Sequence, residues 1–456
     1  MLLFVGIARF YGPEGFGQFT VAHTYLTLFF LIADFGFDLL LTTEIARAPG
    51  RSGLLMQQFF PAKLILSLVA TVAMWSVALF STMSAGTEVL MLILGSGLLA
   101  NAIASFCFAV FKGHQNLFEE MRVSLTQNVA LLCVLLVLEL IQAPLPYVAL
   151  AFVLSRVFGV ALIIPRTFAL TRLRELHFTF ARWREILRAG LPFGVHLLFG
   201  SLYFQLDTLL LAQWRGDQAV GIYQAAMKLI VLVLVIPDVI SNVIVPVLSR
   251  LHAEDFDQWR RLARIVSKGL MYLGLPFGII FYLYADQIIQ MVYGSERYTA
   301  AAPLMRIFAF IVIVRFSVET HAMLLTTSKR QIHRMLIVIC MTVLNFTLNR
   351  YAIPHYGLQG AAVVSLITNV IAGALYISIA YMRDLKSLLL VGPRQVMAVG
   401  LTIVMAISLF SLNVQSLFIG LFAVTVLSSL IYYFVGFSPE ERTLVFALPR
   451  GLSPTA

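Results

Sequence analysis

Charged side chains occur inside strongly apolar segments of this sequence, and these residues have the clearest chemical potential. The basic ones are Lys63, Arg156, Lys228, Arg306 and Arg315, together with Arg122 near the end of a segment. A charge at the centre of a bilayer costs at least a few kcal/mol, so such side chains face a protein interior or a water-filled cavity. Arginine also presents a planar fork of N–H groups that matches phosphate oxygens. The cations could therefore compensate the charge of an anionic group inside a membrane.

The same segments contain five acidic residues. These are Asp34, Asp38, Asp207, Asp238 and Glu319. A carboxylate in such a position could exchange a proton or bind Na⁺, and so respond to an ion gradient. Simpler interpretations stay open: Arg315 and Glu319 are four residues apart and could form an ion pair on one helix face, while Lys63 and Arg306 could extend to the membrane interface.

The elements that must position these residues are membrane-spanning helices. Of the 456 residues, 60% are hydrophobic and only 12% are charged, whereas a soluble domain has about 25% charged residues. Apolar runs of about 20 residues, long enough to cross a hydrocarbon core of roughly 30 Å, recur along the chain. We predict an all-α polytopic protein with fourteen spans, near 1–10, 18–41, 57–80, 88–111, 122–141, 146–169, 191–213, 220–247, 266–284, 303–326, 334–352, 358–381, 395–412 and 416–437.

The first predicted span is too short to cross a membrane, because ten residues rise only about 15 Å in a helix. We therefore expect a truncated first helix, part of which is encoded upstream of Met1. Counting alternate loops from the one after span two, 23 Lys and Arg residues lie on one side and four on the other. The positive-inside rule places the basic side in the cytoplasm. The net charge of +10 is thus explained by topology, and no nucleic-acid partner is expected.

An internal repeat organises the chain. A shift of 204 residues aligns "RFYGPEGFGQFTVAHTYLTLFFLIADF" with "QWRGDQAVGIYQAAMKLIVLVLVIPDV" without a gap, pairing Gly12 with Gly216 and Gly17 with Gly221. The repeat indicates two pseudo-symmetric six-helix lobes around a central cavity, followed by an added helix pair. The predicted domains are a lobe at 1–170, a cytoplasmic basic linker at 171–188, a second lobe at 189–382, and two further spans with a tail at 383–456.

The glycine-rich stretch "GPEGFG" at 12–17 raises the alternative of a phosphate-binding loop. Such loops follow a soluble strand and open a helix, whereas this one joins two predicted spans. We interpret it as a helical hairpin in which the two outer glycines form the turn.

Five segments of the sequence carry a family resemblance: "ARFYGPEGFGQF", "ADFGFDLLLTTEIAR", "LPFGVHLLFGSLYFQLDTLLLAQW", "AVGIYQAAMKLI" and "LNRYAIPHYGLQGAAVVSLITN". Together they resemble the polysaccharide (O-antigen) flippase family of the multidrug/oligosaccharidyl-lipid/polysaccharide transporter superfamily. The resemblance implies two lobes that open alternately to each side of a bacterial inner membrane. It also implies that the cargo is an undecaprenyl-diphosphate-linked oligosaccharide used in O-antigen or exopolysaccharide biosynthesis.

The resemblance gives roles to the charged residues. The cavity cations expected to contact the diphosphate are Arg156, Lys228, Arg315, Arg122 and Lys63; the acids expected to couple transport to H⁺ or Na⁺, or to maintain structure, are Asp34, Asp207, Asp238 and Glu319. The expected partners are the lipid-linked oligosaccharide, membrane lipids and other glycan-assembly proteins. No cofactor or metal is expected, because the three cysteines lie in apolar runs with no cluster of ligands.

Three alternatives remain. A multidrug or toxin extruder of the same superfamily would need an anionic cavity for cationic drugs, which the balance of five cations and five acids does not favour. A lipid II-type flippase would have a similar cavity. A glycan polymerase or ligase would be expected to have a long extracytoplasmic loop with a nucleophile and a base, and the longest such loop, 285–302, has no such arrangement.

Overall fold

The computed structural model describes residues 2–171, 183–328, 330–381, 392–411 and 417–442. The described part is helical. Its α-helices are α1 (Leu2–Asp34), α2 (Phe37–Arg47), α3 (Ser52–Phe80), α4 (Ala85–Ser96), α5 (Leu98–Gly113), α6 (Leu117–Leu140), α7 (Leu145–Thr171), α8 (Trp183–Arg215), α9 (Asp217–Glu254), α10 (Phe256–Leu283), α11 (Ala285–Tyr293), α12 (Ala301–Thr327), α13 (Gln331–Tyr381), α14 (Pro393–Ser411) and α15 (Leu417–Ile431). A π-helical turn, Tyr432–Gly436, follows α15.

Within these residues, eleven helices are long and apolar enough to cross a membrane, and α4 with α5 makes a twelfth span bent by 41°. Two of the eleven, α1 and α13, contain a glycine with non-helical backbone angles, Gly12 and Gly357, which divides each into two segments. Each of the fourteen predicted spans therefore corresponds to a helical segment or to the bent pair. This confirms the predicted all-α polytopic membrane protein.

The second predicted span, 18–41, contains a break that the sequence analysis did not anticipate. The helix ends at Asp34, and Phe35 and Gly36 both have positive φ, 50° and 78°. A methyl group on Gly36 would overlap Phe193 and Gly194 of α8, so only glycine fits there. The chain then continues as the short helix α2.

The chain divides into two compact units, residues 1–224 and 225–456. In the first, α1 packs on α3, α4 and α8, and α7 packs on α5 and α6. In the second, α12 packs between α10 and α13, while α14 and α15 pack on each other and on α10. The predicted domain limits stay predictions, and most of the predicted linker at 171–188, together with 382–391 and the tail from 443, lies outside the described residues.

Candidate functional site

Lys63 lies at the centre of a buried ionic cluster in the first unit. From α3, its ammonium group donates hydrogen bonds to Asp34 at the end of α1 and to Asp38 Oδ1 of α2, the latter at 2.8 Å. The hydroxyl of Ser105 on α5 also donates to Asp38. Lys63 is 0% exposed and Asp34 is 4% exposed. The cluster therefore joins four helices and pairs two carboxylates with one ammonium group.

The helix break after Asp34 supports this cluster. The Asp34 carboxylate accepts hydrogen bonds from the backbone N–H groups of Gly36 and Asp38, at 3.2 Å and 3.3 Å. These N–H groups belong to the start of α2, where an anion is favoured by the unpaired donors and the helix dipole. The break thus turns the chain so that two acids, four residues apart, both reach Lys63.

Arg156 lies in the middle of α7 against an aromatic cluster. Its guanidinium carbon is 4.5 Å from the centroid of the Phe152 ring, a cation–π contact. Phe152 packs in turn on Phe19 and His23 of α1, with ring centroids 6.3 Å and 5.7 Å away. The Nε atom of Arg156 is buried and has no hydrogen-bond partner. An unsatisfied buried donor of this kind costs about 1–3 kcal/mol or more, so an acceptor at this position would be stabilised.

The other predicted cations differ in exposure, and Arg156 itself is partly exposed. Arg122 is exposed near the start of α6, while Lys228 on α9 and Arg315 on α12 are partly exposed. Asp207 on α8 is 4% exposed and accepts a 2.7 Å hydrogen bond from the hydroxyl of Tyr223.

Glu319 is a buried acid of the second unit with partners on two other helices. It is 6% exposed and forms a 3.9 Å ion pair with Arg334 of α13, and the Ser241 hydroxyl of α9 lies 3.4 Å from its Oε1. Asp238 is exposed on α9 and lies within electrostatic range of Arg315 and Glu319. The second unit therefore has its own polar cluster across α9, α12 and α13.

Three partners in these clusters are not evident from the sequence: Ser105, Tyr223 and Arg334. Arg334 was counted as a loop cation, yet it is in the first turn of α13 and reaches the carboxylate of Glu319. The roles of the nine predicted site residues in substrate binding and coupling stay predictions.

The repeated hairpins meet in a reciprocal contact. Gly12 and Gly216, which the 204-residue shift pairs, both have positive φ, 68° and 79°. A methyl group on Gly17 would overlap the carbonyl oxygen of Asp217, and one on Gly221 would overlap that of Pro13. Only Gly12 and Gly216, the first glycine of each hairpin, therefore form the turn. The second allows close backbone packing, and this corrects the hairpin interpretation.

The contact is reinforced by hydrogen bonds at its edge. The hydroxyls of Ser84 and Thr87, at the start of α4, both donate to the Asp217 carboxylate, Thr87 at 3.0 Å. The first unit is thus closely packed at the hairpins, where the sequence predicts the extracytoplasmic side.

Known protein families and a named relative match parts of this sequence. The family model described as "Polysaccharide biosynthesis protein" matches residues 1–252, and the MatE model matches residues 192–350. The "Putative O-antigen transporter" of Salmonella typhi is 25% identical over 197 residues, which cover 39% of this chain and 45% of that protein. This match therefore spans less than half the length of that relative.

Two solved structures share the fold. The lipid II flippase MurJ in an inward closed conformation has a TM-score of 0.76 at 12% identity, covering 95% of this chain and 96% of the other. An inward-facing multidrug resistance MATE family transporter has a TM-score of 0.68 at 18% identity, covering 85% of this chain and 94% of the other. With the family match over more than half of its length, this multi-pass inner-membrane chain belongs to the polysaccharide biosynthesis protein family, and it shares its fold with the MurJ flippase and a MATE transporter.

Proposed function

We propose that this protein is a flippase that moves an undecaprenyl-diphosphate-linked oligosaccharide from the cytoplasmic to the outer leaflet of the inner membrane. In this proposal the carrier alternates between inward-open and outward-open states, and cationic side chains in its cavity compensate the diphosphate during passage. The family match and the name of the Salmonella typhi relative support a glycan-linked cargo.

The observation that carries the proposal is the environment of Arg156. Its guanidinium is held over Phe152 inside an apolar helix, with a buried Nε that has no hydrogen-bond partner. A guanidinium keeps its charge under all physiological conditions and can donate two parallel hydrogen bonds to a phosphate. A phosphate oxygen would supply the missing acceptor. Lys228 and Arg315 are the further cations that we propose compensate the charge of the diphosphate.

The arrangement of the acids favours an anionic cargo over a cationic drug. A drug extruder would use carboxylates to bind its cationic substrate, but Asp34 and Asp38 are both paired with Lys63. Glu319 is paired with Arg334. Releasing the two aspartates for a drug would leave the buried Lys63 uncompensated, at a cost of several kcal/mol.

A lipid II-type flippase is a second candidate, because the MurJ likeness extends over 95% of the chain. Both cargoes share a polyprenyl diphosphate and differ in the attached sugars, so the cavity chemistry proposed here serves either.

We further propose that transport is coupled to a gradient of H⁺ or Na⁺ through Glu319, with Asp34, Asp207 and Asp238 as the other candidate acids. Glycan-assembly proteins are the proposed partners of the flippase.

Complementation tests the proposal. In a strain that lacks its own glycan flippase, the wild-type chain should restore surface glycan, whereas Arg156→Ala, Lys228→Ala and Arg315→Ala should insert in the membrane but fail to do so. Arg47→Ala is the matched control, because the Arg47 side chain is 72% exposed and its surface ion pair with Glu44 contributes little. Normal glycan in all three cavity variants would contradict the cationic cavity.

A further inference from the structure

An apolar groove of about 410 Å³ lies between α10 and α15, the last helix of the added pair α14 and α15. Tyr272, Pro276 and Phe277 line it on one side and Tyr432 on the other. The rings of Tyr272 and Tyr432 are stacked, with centroids 4.2 Å apart and planes 8° apart. The groove has the size of a small-molecule site and is bounded by helices. Its walls suit a hydrocarbon chain.

Two polar groups make the groove more than an apolar surface. Tyr272 is 4% exposed, lines the groove, and has a hydroxyl with no hydrogen-bond partner. Arg442 lines the end of the groove beyond the π-helical turn. An orphaned phenol and a guanidinium beside apolar walls match an amphiphile whose polar end carries acceptor oxygens and a negative charge.

We propose that this groove binds one anionic phospholipid of the cytoplasmic leaflet, with an acyl chain between α10 and α15 and the phosphate at Arg442. The predicted topology places the tail from 438 on the cytoplasmic side, where the leaflet surface is negatively charged. Tyrosine is enriched at the depth where lipid head groups begin. Tyr272, Tyr432 and Tyr433 all line the groove.

The hydrogen bonds of Arg442 favour a phospholipid over the proposed cargo. Its Nε donates to the Phe437 carbonyl at 3.3 Å and one Nη donates to the Phe434 carbonyl at 2.8 Å. These bonds hold the guanidinium in place and leave it fewer N–H groups for a ligand. The N–H groups of Arg442 that are not bonded to these carbonyls suit the single phosphate of a phosphodiester better than a diphosphate bearing a glycan.

Native mass spectrometry of the full chain tests this inference. Protein released from vesicles of equal phosphatidylglycerol and phosphatidylcholine should retain one phosphatidylglycerol. Gly269 lines the groove and has open space where a side chain would begin. Gly269→Leu should therefore fill the groove and abolish retention. Gly400→Leu is the matched control, since Gly400 also has open space but lies on the exposed side of α14.

The head-group contacts are tested separately. Arg442→Gln and the isosteric Tyr272→Phe should each lower retention of phosphatidylglycerol by about tenfold, the effect of losing one charge-assisted hydrogen bond. Tyr272→Phe also provides the test if Gly269→Leu fails to insert. Equal retention of both phospholipids, unchanged retention in Tyr272→Phe and Arg442→Gln, displacement by soluble glycerol phosphate, or preferential retention of added undecaprenyl phosphate would each overturn the proposal.

Discussion

Gly17 and Gly221 occupy equivalent positions in the repeat, and each packs against the backbone of the other's hairpin. Gly17 lies on the carbonyl of Asp217, and Gly221 lies on the carbonyl of Pro13, the residue 204 positions before Asp217. A contact in which two surfaces exchange the same pair of positions is what a two-fold relation produces. The repeat seen in the sequence is therefore also present as local packing.

Adding a methyl group at this contact should destabilise the protein. In Gly17→Ala or Gly221→Ala the new Cβ overlaps a backbone carbonyl, which cannot rotate away as a side chain could. We expect a cost of about 1–3 kcal/mol, measured as a lower thermal midpoint of the purified protein at a fixed scan rate.

Gly200→Ala provides the control for these two variants. Gly200 is also in a helix of the first unit but has open space at its Cβ position. Alanine is the better helix former, so this variant should be neutral or slightly more stable. Equal midpoints for all three variants would show that the hairpin contact is not close-packed.

Removing Lys63 should be among the most destabilising single changes. Lys63→Met leaves the buried Asp34 and the partly exposed Asp38 without their cation, which costs about 3–5 kcal/mol. Neutralising both acids in the same chain should recover much of the lost thermal stability. Lys112→Met, which breaks a partly exposed pair with Glu120, should have little effect. If the triple variant is no more stable than Lys63→Met, the cluster is not held by charge.

The sequence predicted the helical segments well but predicted this cluster poorly, for a physical reason. Hydropathy and the positive-inside rule depend on local composition, so Lys63 and Asp34 could each be recognised as costly intramembrane charges. Their pairing depends on the helix break at Phe35 and Gly36, which is produced by the positive φ angles of these two residues. The short "DFGFD" motif is the one local signal of that break.

The pairing of Glu319 illustrates the same limit. The sequence left open a pair with Arg315, four residues earlier, because contacts within one helix can be predicted from spacing. The ion pair formed with Arg334 joins two helices. Contacts between helices depend on packing geometry, which one sequence without homologues does not specify.

The Lys268–Glu441 pair predicts an acid-sensitive link between α10 and the tail. Burial alone would raise the pKa of Glu441, but a 2.6 Å hydrogen bond from Lys268 and bonds from Ser438 leave that pKa below its ordinary value of 4.5. A lowered folded-state pKa means that the carboxylate stabilises the fold above pH 4.5 and loses this contribution as the pH falls below it.

Thermal midpoints measured against pH should reveal this link. Glu441→Gln should be less stable than the wild-type protein at neutral pH, and the difference should shrink in acid. Glu440→Gln is the neighbouring control, because the side chain of Glu440 is 81% exposed in its pair with Arg261. A difference between wild type and Glu441→Gln that is the same at every pH would contradict the assignment.

Glu319 should govern the response to an ion gradient. In proteoliposomes, wild-type flipping should accelerate when a proton or Na⁺ gradient is imposed, whereas Glu319→Gln should flip at a rate independent of both. Glu254→Gln, on the exposed end of α9, should respond as the wild type does. Full acceleration in Glu319→Gln would assign coupling to another acid.

A flipping assay with purified protein tests the identity of the cargo most directly. Fluorescent polyprenyl-diphosphate-linked oligosaccharide is placed in proteoliposomes, and its exposure to an external quencher is followed over time. We predict rapid exchange between leaflets with the wild-type chain, loss of that exchange with Arg156→Ala, and partial recovery with Arg156→Lys, which restores the charge without the planar fork. A wild-type chain that leaves this lipid in its original leaflet, but expels a cationic dye, would contradict the account.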